Sequence, residues 1–348
     1  MPSLFRGRTP SIPNATARSI AVLERMTLGG VDQWLTLRGR DAAQPLLLYV
    51  HGGPGTPDLG AFRHFVPELE EHFLVAHWCQ RGGAKSYVRG LGREDMTMAR
   101  FDADLEELGE RLLQRFGQRK LYLVGQSWGT VLGMRLVARR PDLVAAYVGV
   151  NQVVDRGEEE LRTHRACLRR ARERGNRRAV AQLDAMGEPT DGMYATLAGT
   201  LSQRGWVRSL GMVTHDPMRA MEIGKAVALS PELTVRDLYF FFARLRWNME
   251  LLWPEFSRVN LAREIPVVDA PVVFVAGEHD RITSPDLARA YLEALRAPHK
   301  EYVLFPSSGH VACFEEPGRF LEVMLRVKEL GGPGGPRAVP PEVGTPPA

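Results

Sequence analysis

Short apolar runs alternate along this chain with longer segments in which apolar residues recur every three or four positions. A continuous apolar run bounded by turn residues is typical of a strand that is buried on both faces of a sheet. The longer segments have the spacing of amphipathic helices. Strands that alternate with helices predict an α/β fold with a mostly parallel, doubly wound sheet. The predicted strands are 45–50, 74–78, 121–124, 143–150, 271–276 and 301–305, and the predicted helices are 62–73, 96–116, 130–139, 286–296 and 317–330.

The two ends of the chain depart from this alternation. Residues 1–18 are polar and rich in proline, and we expect them to form a flexible arm. A double glycine at 29–30 separates strand-like runs at 19–28 and 33–38, which predicts an antiparallel hairpin. Residues 331–348 are rich in proline and glycine, so we expect a disordered tail.

The pattern changes again after residue 155, where strand-like runs give way to helical spacing. We therefore predict a helical cap domain, residues 156–265, inserted into a core made of residues 19–155 and 266–330. An insertion at this point is expected over the carboxyl edge of the sheet, where ligands bind in doubly wound folds. The cap is therefore expected to set the specificity of a site at that edge.

Composition and charge restrict the function classes. The 348 residues are 44% hydrophobic and 25% charged, which is ordinary for a soluble globular enzyme. A net charge of +4 is too weak and too dispersed to indicate a nucleic-acid partner. No apolar run is long enough to predict a membrane span, and the first residues lack the apolar region of a signal peptide. The three cysteines show neither a disulfide framework nor metal-ligand spacing, and they fit the reducing cytoplasm. The oligomeric state is left open.

The predicted strand at 121–124 runs into Gly125-Gln126-Ser127-Trp128-Gly129, which has the G-x-S-x-G spacing of a nucleophile elbow. A serine hydroxyl is a weak nucleophile unless a turn exposes it beside a base. Such a turn crowds the neighbouring chain, and glycines two positions before and after the serine remove the Cβ atoms that would clash. The helix that follows directs N–H groups toward a developing oxyanion. We therefore predict that Ser127 is a nucleophile.

A nucleophilic serine needs a base, and the base needs an acid that orients it. In this kind of fold the chain order is serine, acid and then histidine. His310 follows the last predicted strand and Asp280 follows the strand before it, so both are expected at the edge that carries Ser127. Glu278 and Asp155 are alternative acids, because the first is two residues from Asp280 and the second follows the preceding strand.

The loop His51-Gly-Gly-Pro-Gly55 follows a predicted strand and is the candidate second half of an oxyanion hole. Its glycines let the backbone approach a substrate, and His51 is expected to brace the loop. We predict that the N–H groups of Gly53 and Trp128 hold the oxyanion, with Gly52 as the alternative donor and a substrate contact. Gln80-Arg81-Gly82, after the neighbouring strand, is expected to brace the same loop, and Arg81 is alternatively a ligand for a substrate carboxylate.

Taken together, these motifs resemble the proline iminopeptidase family of α/β-hydrolases, over residues 20–155 and 265–330 of the chain. The resemblance implies an α/β-hydrolase fold with a helical cap, and the release of N-terminal proline or similar residues from short peptides. It also implies a triad of Ser127, Asp280 and His310 with Gly53 and Trp128 as oxyanion donors. The motifs that carry the resemblance are His51-Gly-Gly-Pro-Gly55, Gln80-Arg-Gly82, Gly125-Gln-Ser-Trp-Gly129, Gly277-x-x-Asp280 and Gly309-His310.

The chain departs from the family pattern at three places. Cys79 stands where members usually have aspartate, and Gln126 stands where they usually have glycine. Aminopeptidases of the family bind the free amine of the substrate with cap carboxylates, and the motif around those carboxylates has no match here. Glu250 is the nearest candidate for that role. The hydrolytic residues are therefore better defined by the sequence than the substrate is.

Two stretches of the predicted cap have an unusual composition. Residues 161–180 contain eight arginines, which predicts a solvated helix face or, alternatively, a docking surface for an acidic partner. Residues 238–253 are dense in aromatic side chains, most of which are expected to pack the cap onto the core. Trp247 in this second stretch is a candidate for the lining of an apolar pocket.

The sequence therefore predicts a Ser-His-Asp hydrolase that forms an acyl-enzyme and needs no metal or organic cofactor. Its expected partner is a small-molecule or short-peptide substrate, without nucleic acid or membrane. Three hypotheses compete for the reaction. The first is a peptidase of the iminopeptidase type, the second is an esterase, lactonase or thioesterase of small-molecule metabolism, and the third is a non-hydrolytic cyclase, acyltransferase or binding protein on the same fold.

Overall fold

A computed structural model describes residues 7–331, and within them eight strands form one sheet. The strand order is β1-β2-β4-β3-β5-β6-β7-β8, and every neighbouring pair from β4 to β8 is parallel, while β1, β2 and β4 pair antiparallel. The predicted mostly parallel sheet is therefore confirmed. The strands are β1 (Ile20–Leu28), β2 (Val31–Gly39), β3 (Leu46–Val50), β4 (Leu74–Cys79), β5 (Leu121–Gln126), β6 (Val144–Val150), β7 (Val272–Gly277) and β8 (Lys300–Phe305).

Helices cover both faces of this sheet, as the buried strands require. Successive residues of β3 point to opposite faces: Leu48 packs in one apolar cluster with Phe101, and Leu47 packs in the other with Phe320. Within residues 7–331 the α-helices are α1 (Ala61–Phe65), α2 (Met98–Phe116), α3 (Trp128–Arg139), α4 (Arg156–Glu173), α5 (Arg177–Met186), α6 (Leu197–Ser209), α7 (Pro217–Ala228), α8 (Val235–Phe256), α9 (Leu261–Glu264), α10 (Pro285–Ala294), α11 (Ala312–Glu315) and α12 (Pro317–Leu330).

The segment between β6 and β7 is helical, with α4 beginning at Arg156 and α9 ending at Glu264. Asp155 caps α4, because its side chain accepts a hydrogen bond from the N–H of Glu158 at 3.1 Å. We call residues 156–265 the helical insertion. That it behaves as a separate cap domain stays a prediction.

The structure differs from the sequence-based expectation at two places. The helix predicted over residues 62–73 ends at Phe65, and Pro67 begins a 3₁₀ turn, because the residue before a proline is disfavoured in the α conformation. The predicted flexible arm is wrong for part of its length. Thr9 and Ile12 are buried, and Thr9 accepts a hydrogen bond of 2.7 Å from Arg38 Nη1. Residues 1–6 of the arm and 332–348 of the predicted tail lie outside the described residues.

None of the helices in the described part of the chain combines the length and the apolar character that a membrane span requires.

A buried ion pair joins the loop after β4 to α2. Arg81, just after β4, donates two hydrogen bonds of 2.6 Å to the carboxylate of Asp104 in α2, and both side chains are 0% exposed. Gln33 of β2 donates to the same carboxylate at 2.5 Å and accepts a hydrogen bond of 2.9 Å from Trp78 Nε1 of β4. The pair therefore ties β2, β4 and α2 together, and Arg81 has a structural role.

We predict that Asp104→Asn lowers the free energy of unfolding by about 3–5 kcal/mol, because it leaves the Arg81 charge buried without its partner. Urea unfolding followed by tryptophan fluorescence measures the loss. Asp142→Asn is the matched control, since the Asp142 side chain is 61% exposed beside Arg140. The control is expected to lose less than about 1 kcal/mol. Equal losses in the two variants would contradict the structural role of the buried pair.

Candidate active site

Ser127 lies at the sharp turn between the end of β5 and the start of α3, with φ 51° and ψ −117°. The glycines on either side permit this turn. A Cβ atom on Gly129 would lie 2.1 Å from the carbonyl oxygen of Val50, and one on Gly125 would lie 2.6 Å from the carbonyl oxygen of Gly129. A left-handed backbone is costly for a serine, so the packing around it must hold it there.

The structure brings Ser127, His310 and Asp280 together. His310 Nε2 lies 2.8 Å from Ser127 Oγ, and His310 Nδ1 lies 3.0 Å from Asp280 Oδ2. Both contacts are of hydrogen-bond length. His310 and Asp280 are buried, whereas Ser127 is partly exposed at the wall of a cavity. One imidazole thus bridges a hydroxyl that a substrate can reach and a carboxylate that water cannot.

Four further hydrogen bonds fix the Asp280 carboxylate. It accepts from Ile282 N at 2.7 Å, from Thr283 N at 3.1 Å, from Thr283 Oγ1 at 2.5 Å and from Asn151 Nδ2 at 2.8 Å. Burial alone raises the pKa of this carboxyl, but the His310 imidazole and these hydrogen bonds outweigh burial and lower the pKa below its ordinary value. Asp280 is therefore held as a carboxylate beside His310.

The two alternative acids lie elsewhere. Asp155 caps α4 and accepts a hydrogen bond of 2.6 Å from Asn260 Nδ2, and Glu278 is exposed. Sequence analysis missed Asn151, which follows β6 with φ 53° and also donates to the Gly309 carbonyl oxygen at 3.0 Å. Its position at the end of a buried strand was the available signal, but nothing in the sequence indicates what such an asparagine contacts.

The two predicted oxyanion donors, Gly53 and Trp128, lie in different elements, the loop after β3 and the start of α3. Gly52 and Gly53 line the cavity beside Ser127, and Gly53 has φ 143°, a conformation open to glycine alone. Trp128 is the first residue of α3, so its N–H has no acceptor within the helix. Its indole is fully buried and donates to Gln80 Oε1 at 2.9 Å.

His51 and Gln80 brace the glycine loop from beneath. His51 Nδ1 lies 2.6 Å from the carbonyl oxygen of Gly52, and His51 Nε2 accepts a hydrogen bond of 3.2 Å from Gln80 N. The Gln80 side chain donates to the His51 carbonyl oxygen at 2.9 Å and also receives the Trp128 indole N–H. One hydrogen-bonded chain therefore links the loop after β3 to the start of α3.

A cavity of about 320 Å³ opens in front of Ser127, between the sheet and the helical insertion. Its lining is mainly apolar, and the insertion supplies most of the apolar side chains. The lining residues from the insertion include Leu201, Val207, Val213, Ile223, Leu245, Met249, Trp253 and Phe256, and those from the core include Gly52, Gly53, Pro54, Gln126, Ser127, His310, Val311 and Phe314.

Three sequence-predicted substrate contacts do not line this cavity. Arg81 is held by Asp104 inside the core. Glu250 is 46% exposed and pairs with Arg93 at 3.4 Å. Trp247 lies on the same side of α8 as Glu250, and its ring lies 5.3 Å from the Arg244 guanidinium. Met249, which lines the cavity, lies about half a turn away around the helix. A substrate role for these three residues is therefore wrong for this structure.

Sequence analysis also missed three arginines that line the cavity, namely Arg156 of α4 and Arg204 and Arg208 of α6. The spacing of Leu201, Arg204 and Arg208 places them on one face of α6, which was the available signal. Which element that face meets is decided by tertiary packing. Within residues 7–331, no group of three His, Cys, Asp or Glu side chains is arranged to hold a metal ion.

Comparison with known proteins identifies one relative along most of the chain and another along about a quarter of it. A family profile described as alpha/beta hydrolase fold matches residues 45–317. A probable aminopeptidase, YbaC, of Bacillus subtilis (strain 168) is 33% identical over 311 residues, which are 89% of this chain and 96% of that protein. A probable proline iminopeptidase of Streptomyces coelicolor is 36% identical over 104 residues, which are 28% of this chain and 30% of that protein.

Solved structures with the same fold are more distant in sequence. A proline iminopeptidase-related protein from Thermus thermophilus superposes with a TM-score of 0.64 at 16% identity, covering 89% of this chain and 98% of its own. A 2-hydroxy-6-oxo-6-phenylhexa-2,4-dienoate hydrolase from a Rhodococcus species gives a TM-score of 0.62 at 19% identity, with 89% and 99% covered. At these identities the likeness shows the fold alone.

We predict that His51 makes stability depend on pH. Burial lowers the pKa of His51 from 6.5 to about 4. Below pH 6.5, His51 takes up a proton in the unfolded chain but stays neutral in the folded protein, so the free energy of unfolding decreases as the pH falls toward 4. The loss over this window approaches about 3 kcal/mol.

In His51→Gln, the decrease in the free energy of unfolding between pH 6.5 and 4 is expected to be smaller than in the wild type by this amount. Urea unfolding at several pH values measures the decrease. His64→Gln, at an exposed histidine, is the control and is expected to retain the wild-type slope. A His51→Gln slope equal to that of the wild type would show that His51 is protonated in the folded protein.

Proposed function

The chain belongs to the α/β-hydrolase family, and we propose that it is a serine hydrolase in which Ser127 forms an acyl-enzyme with a small amide or ester substrate. The observation that carries the proposal is the pair of contacts made by His310, 2.8 Å to Ser127 Oγ and 3.0 Å to Asp280 Oδ2. A base within hydrogen-bond reach of a hydroxyl, oriented by a carboxylate on its other nitrogen, is the arrangement that serine catalysis requires.

The proposed reaction has two halves. His310 Nε2 takes the Ser127 proton while Oγ attacks the carbonyl carbon, and the Gly53 and Trp128 N–H groups hold the oxyanion. His310 then gives its proton to the leaving nitrogen or oxygen as the bond to the acyl carbon breaks. Water, deprotonated by the same imidazole, attacks the acyl-enzyme and releases the acid. Asp280 stabilises the imidazolium throughout and keeps its own charge.

Release of an N-terminal residue from a short peptide is the first candidate reaction. It is supported by the Bacillus subtilis relative, which is named a probable aminopeptidase and is similar along nearly its whole length. Such a substrate presents a free amine, and the enzyme needs an acceptor or a negative charge to bind it. Among the described residues that line the cavity, Asp58 carries a carboxylate outside the proposed triad. One of its oxygens accepts a hydrogen bond of 2.8 Å from Tyr49 Oη, and the other lies 3.0 Å from His77 Nε2.

Hydrolysis of a carboxylic ester, lactone or thioester is the second candidate reaction. The lining of the cavity favours it, because the insertion offers apolar side chains and arginines to the space in front of Ser127. An apolar wall suits an acyl chain, whereas guanidinium groups repel an ammonium group.

We further propose that the enzyme acts in the cytoplasm on a small molecule or a short peptide, without nucleic acid or a membrane as a partner. The buried free thiols of Cys79, Cys167 and Cys313 and the small net charge of +4 support this proposal.

We predict that Ser127→Ala lowers kcat on any turned-over ester or amide by at least ~10³-fold and abolishes covalent labelling by a fluorophosphonate. Asp280→Asn is also expected to lose activity, since the imidazole then lacks its negative partner. Asp155→Asn is the control for the acid, because Asp155 has the same chemistry at a helix cap. Labelling that survives in Ser127→Ala, or a larger loss from Asp155→Asn, would refute the assignment.

The two candidate reactions make opposite predictions on a substrate panel. We expect short-chain p-nitrophenyl esters to be hydrolysed with a higher kcat/KM, relative to their uncatalysed rates, than the p-nitroanilides of proline and alanine, because the insertion presents guanidinium groups to an amine and the Asp58 carboxylate already accepts a hydrogen bond from Tyr49. Release of nitrophenol and nitroaniline is measured by absorbance. A preference for the aminoacyl anilides would establish the aminopeptidase reaction and exclude the ester preference.

A further inference from the structure

The wall of the cavity supplied by the helical insertion carries hydrogen-bond donors that have no acceptor. Arg204 Nη1, Trp253 Nε1 and Arg156 Nε are buried, and none of them has a hydrogen-bond partner among the described residues. All three residues line the cavity that contains Ser127. Burying a polar group without a partner is costly, so these three side chains keep hydrogen-bonding capacity that the described residues do not use.

The charges on this wall do not balance. Arg156 Nη1 pairs with Glu159 at 2.8 Å, and Arg156 Nη2 and Arg204 Nη2 both bind the same oxygen of Glu160. Arg208 adds a third guanidinium that lines the cavity, and this residue is exposed to solvent. Glu159 and Glu160 do not line the cavity, so the insertion lines it with three guanidinium groups and no carboxylate.

The Arg204 guanidinium is held in place before any ligand arrives. One of its nitrogens is bonded to Glu160, and its plane lies over the indole of Trp253, 4.9 Å from the ring centroid. Glu160 Oε2 also lacks a hydrogen bond, but Glu160 does not line the cavity. The charged and polar side chains with which the insertion lines the cavity are therefore arginines and an indole, whose donors and positive charges match the two oxygens and the negative charge of a carboxylate.

We propose that Arg204, together with Arg156 and the indole N–H of Trp253, binds a carboxylate on the substrate, so that the natural substrate is an ester or amide that also carries a free carboxylate group. This inference rests on the proposed hydrolysis at Ser127, since it names the substrate class of the same cavity. An amine-bearing substrate finds positive charge at this wall, whereas an acidic substrate gains charge-assisted hydrogen bonds from groups that are already ordered.

Two pairs of esters test the inference whichever side of the scissile bond carries the carboxylate. The first pair is mono-p-nitrophenyl glutarate and its methyl ester, with the charge on the acyl side. The second is p-carboxyphenyl butanoate and its methyl ester, with the charge on the leaving group. For at least one pair, we expect the wild-type kcat/KM, corrected for the uncatalysed rate, to be about 10-fold or more higher for the carboxylate form.

Arg204→Gln is expected to lower this preference by about 10- to 100-fold. Arg178→Gln, which removes an exposed arginine from α5, is the matched control and should leave the preference unchanged. Because Arg204→Gln leaves Glu160 with one partner fewer, the double variant Arg204→Gln/Glu160→Gln keeps the test valid if the single variant unfolds. A wild type with no preference in either pair, or an Arg204→Gln variant that keeps the preference, overturns the inference.

Calorimetric titration with glutarate separates this inference from the proposed function. We expect the wild-type protein and Ser127→Ala to bind glutarate, and Arg204→Gln to bind it at least about 10-fold more weakly. If glutarate binding depends on Arg204 but fluorophosphonate does not label Ser127, the proposed hydrolase function is refuted and the proposed carboxylate site is supported. If Ser127 is labelled and neutral esters are hydrolysed, but glutarate does not bind and no carboxylate preference is found, the hydrolase function is supported and the carboxylate site is refuted.

Discussion

The close approach of α3 to the end of β3 is the contact on which the site depends. Gly129 permits this approach, since a Cβ there would lie 2.1 Å from the Val50 carbonyl oxygen. With the two elements in contact, Ser127 is held in its strained turn and the loop that follows β3 lies directly beside it. A displacement of α3 large enough to admit a side chain would separate Ser127 from the loop that contains Gly53. The glycine spacing of the elbow is therefore a packing requirement with a chemical consequence.

Polar residues buried beneath the site maintain this contact. The indole of Trp128, the amide of Gln80 and the ring of His51 form one hydrogen-bonded chain from α3 to the glycine loop. Beside it, Arg81 is fixed by Asp104 within the core. Buried polar groups rigidify a structure when they are satisfied, as these are. The side chains of the Gln-Arg-Gly motif and of Trp128 thus support the geometry of the site from within the core.

The two halves of the cavity have opposite electrostatic character. On the sheet side, His310 lies against a carboxylate whose hydrogen bonds keep it ionised. On the insertion side, Arg156 and Arg204 share Glu160 and retain donors that have no acceptor within residues 7–331. The sheet side supplies the groups that serine chemistry needs whatever the substrate, and the insertion supplies the charge that a particular substrate would meet. A substrate class is therefore more readily inferred from α4, α6 and α8 than from the motifs of the core.

The sequence by itself determined the strands, the elbow and the identity of Ser127, Asp280 and His310 as candidates. These follow from local constraints, because a buried strand needs a continuous apolar run and a sharp turn needs glycine at fixed spacing. Tertiary structure alone decided which side chains meet across the cavity. Sequence reasoning made Arg81 and Glu250 candidate substrate contacts and did not single out Arg204. In the structure, Arg81 is paired inside the core and Glu250 points outward from α8. Helical periodicity defines the faces of a helix, whereas the neighbour that each face meets depends on the packing of segments far apart in the chain.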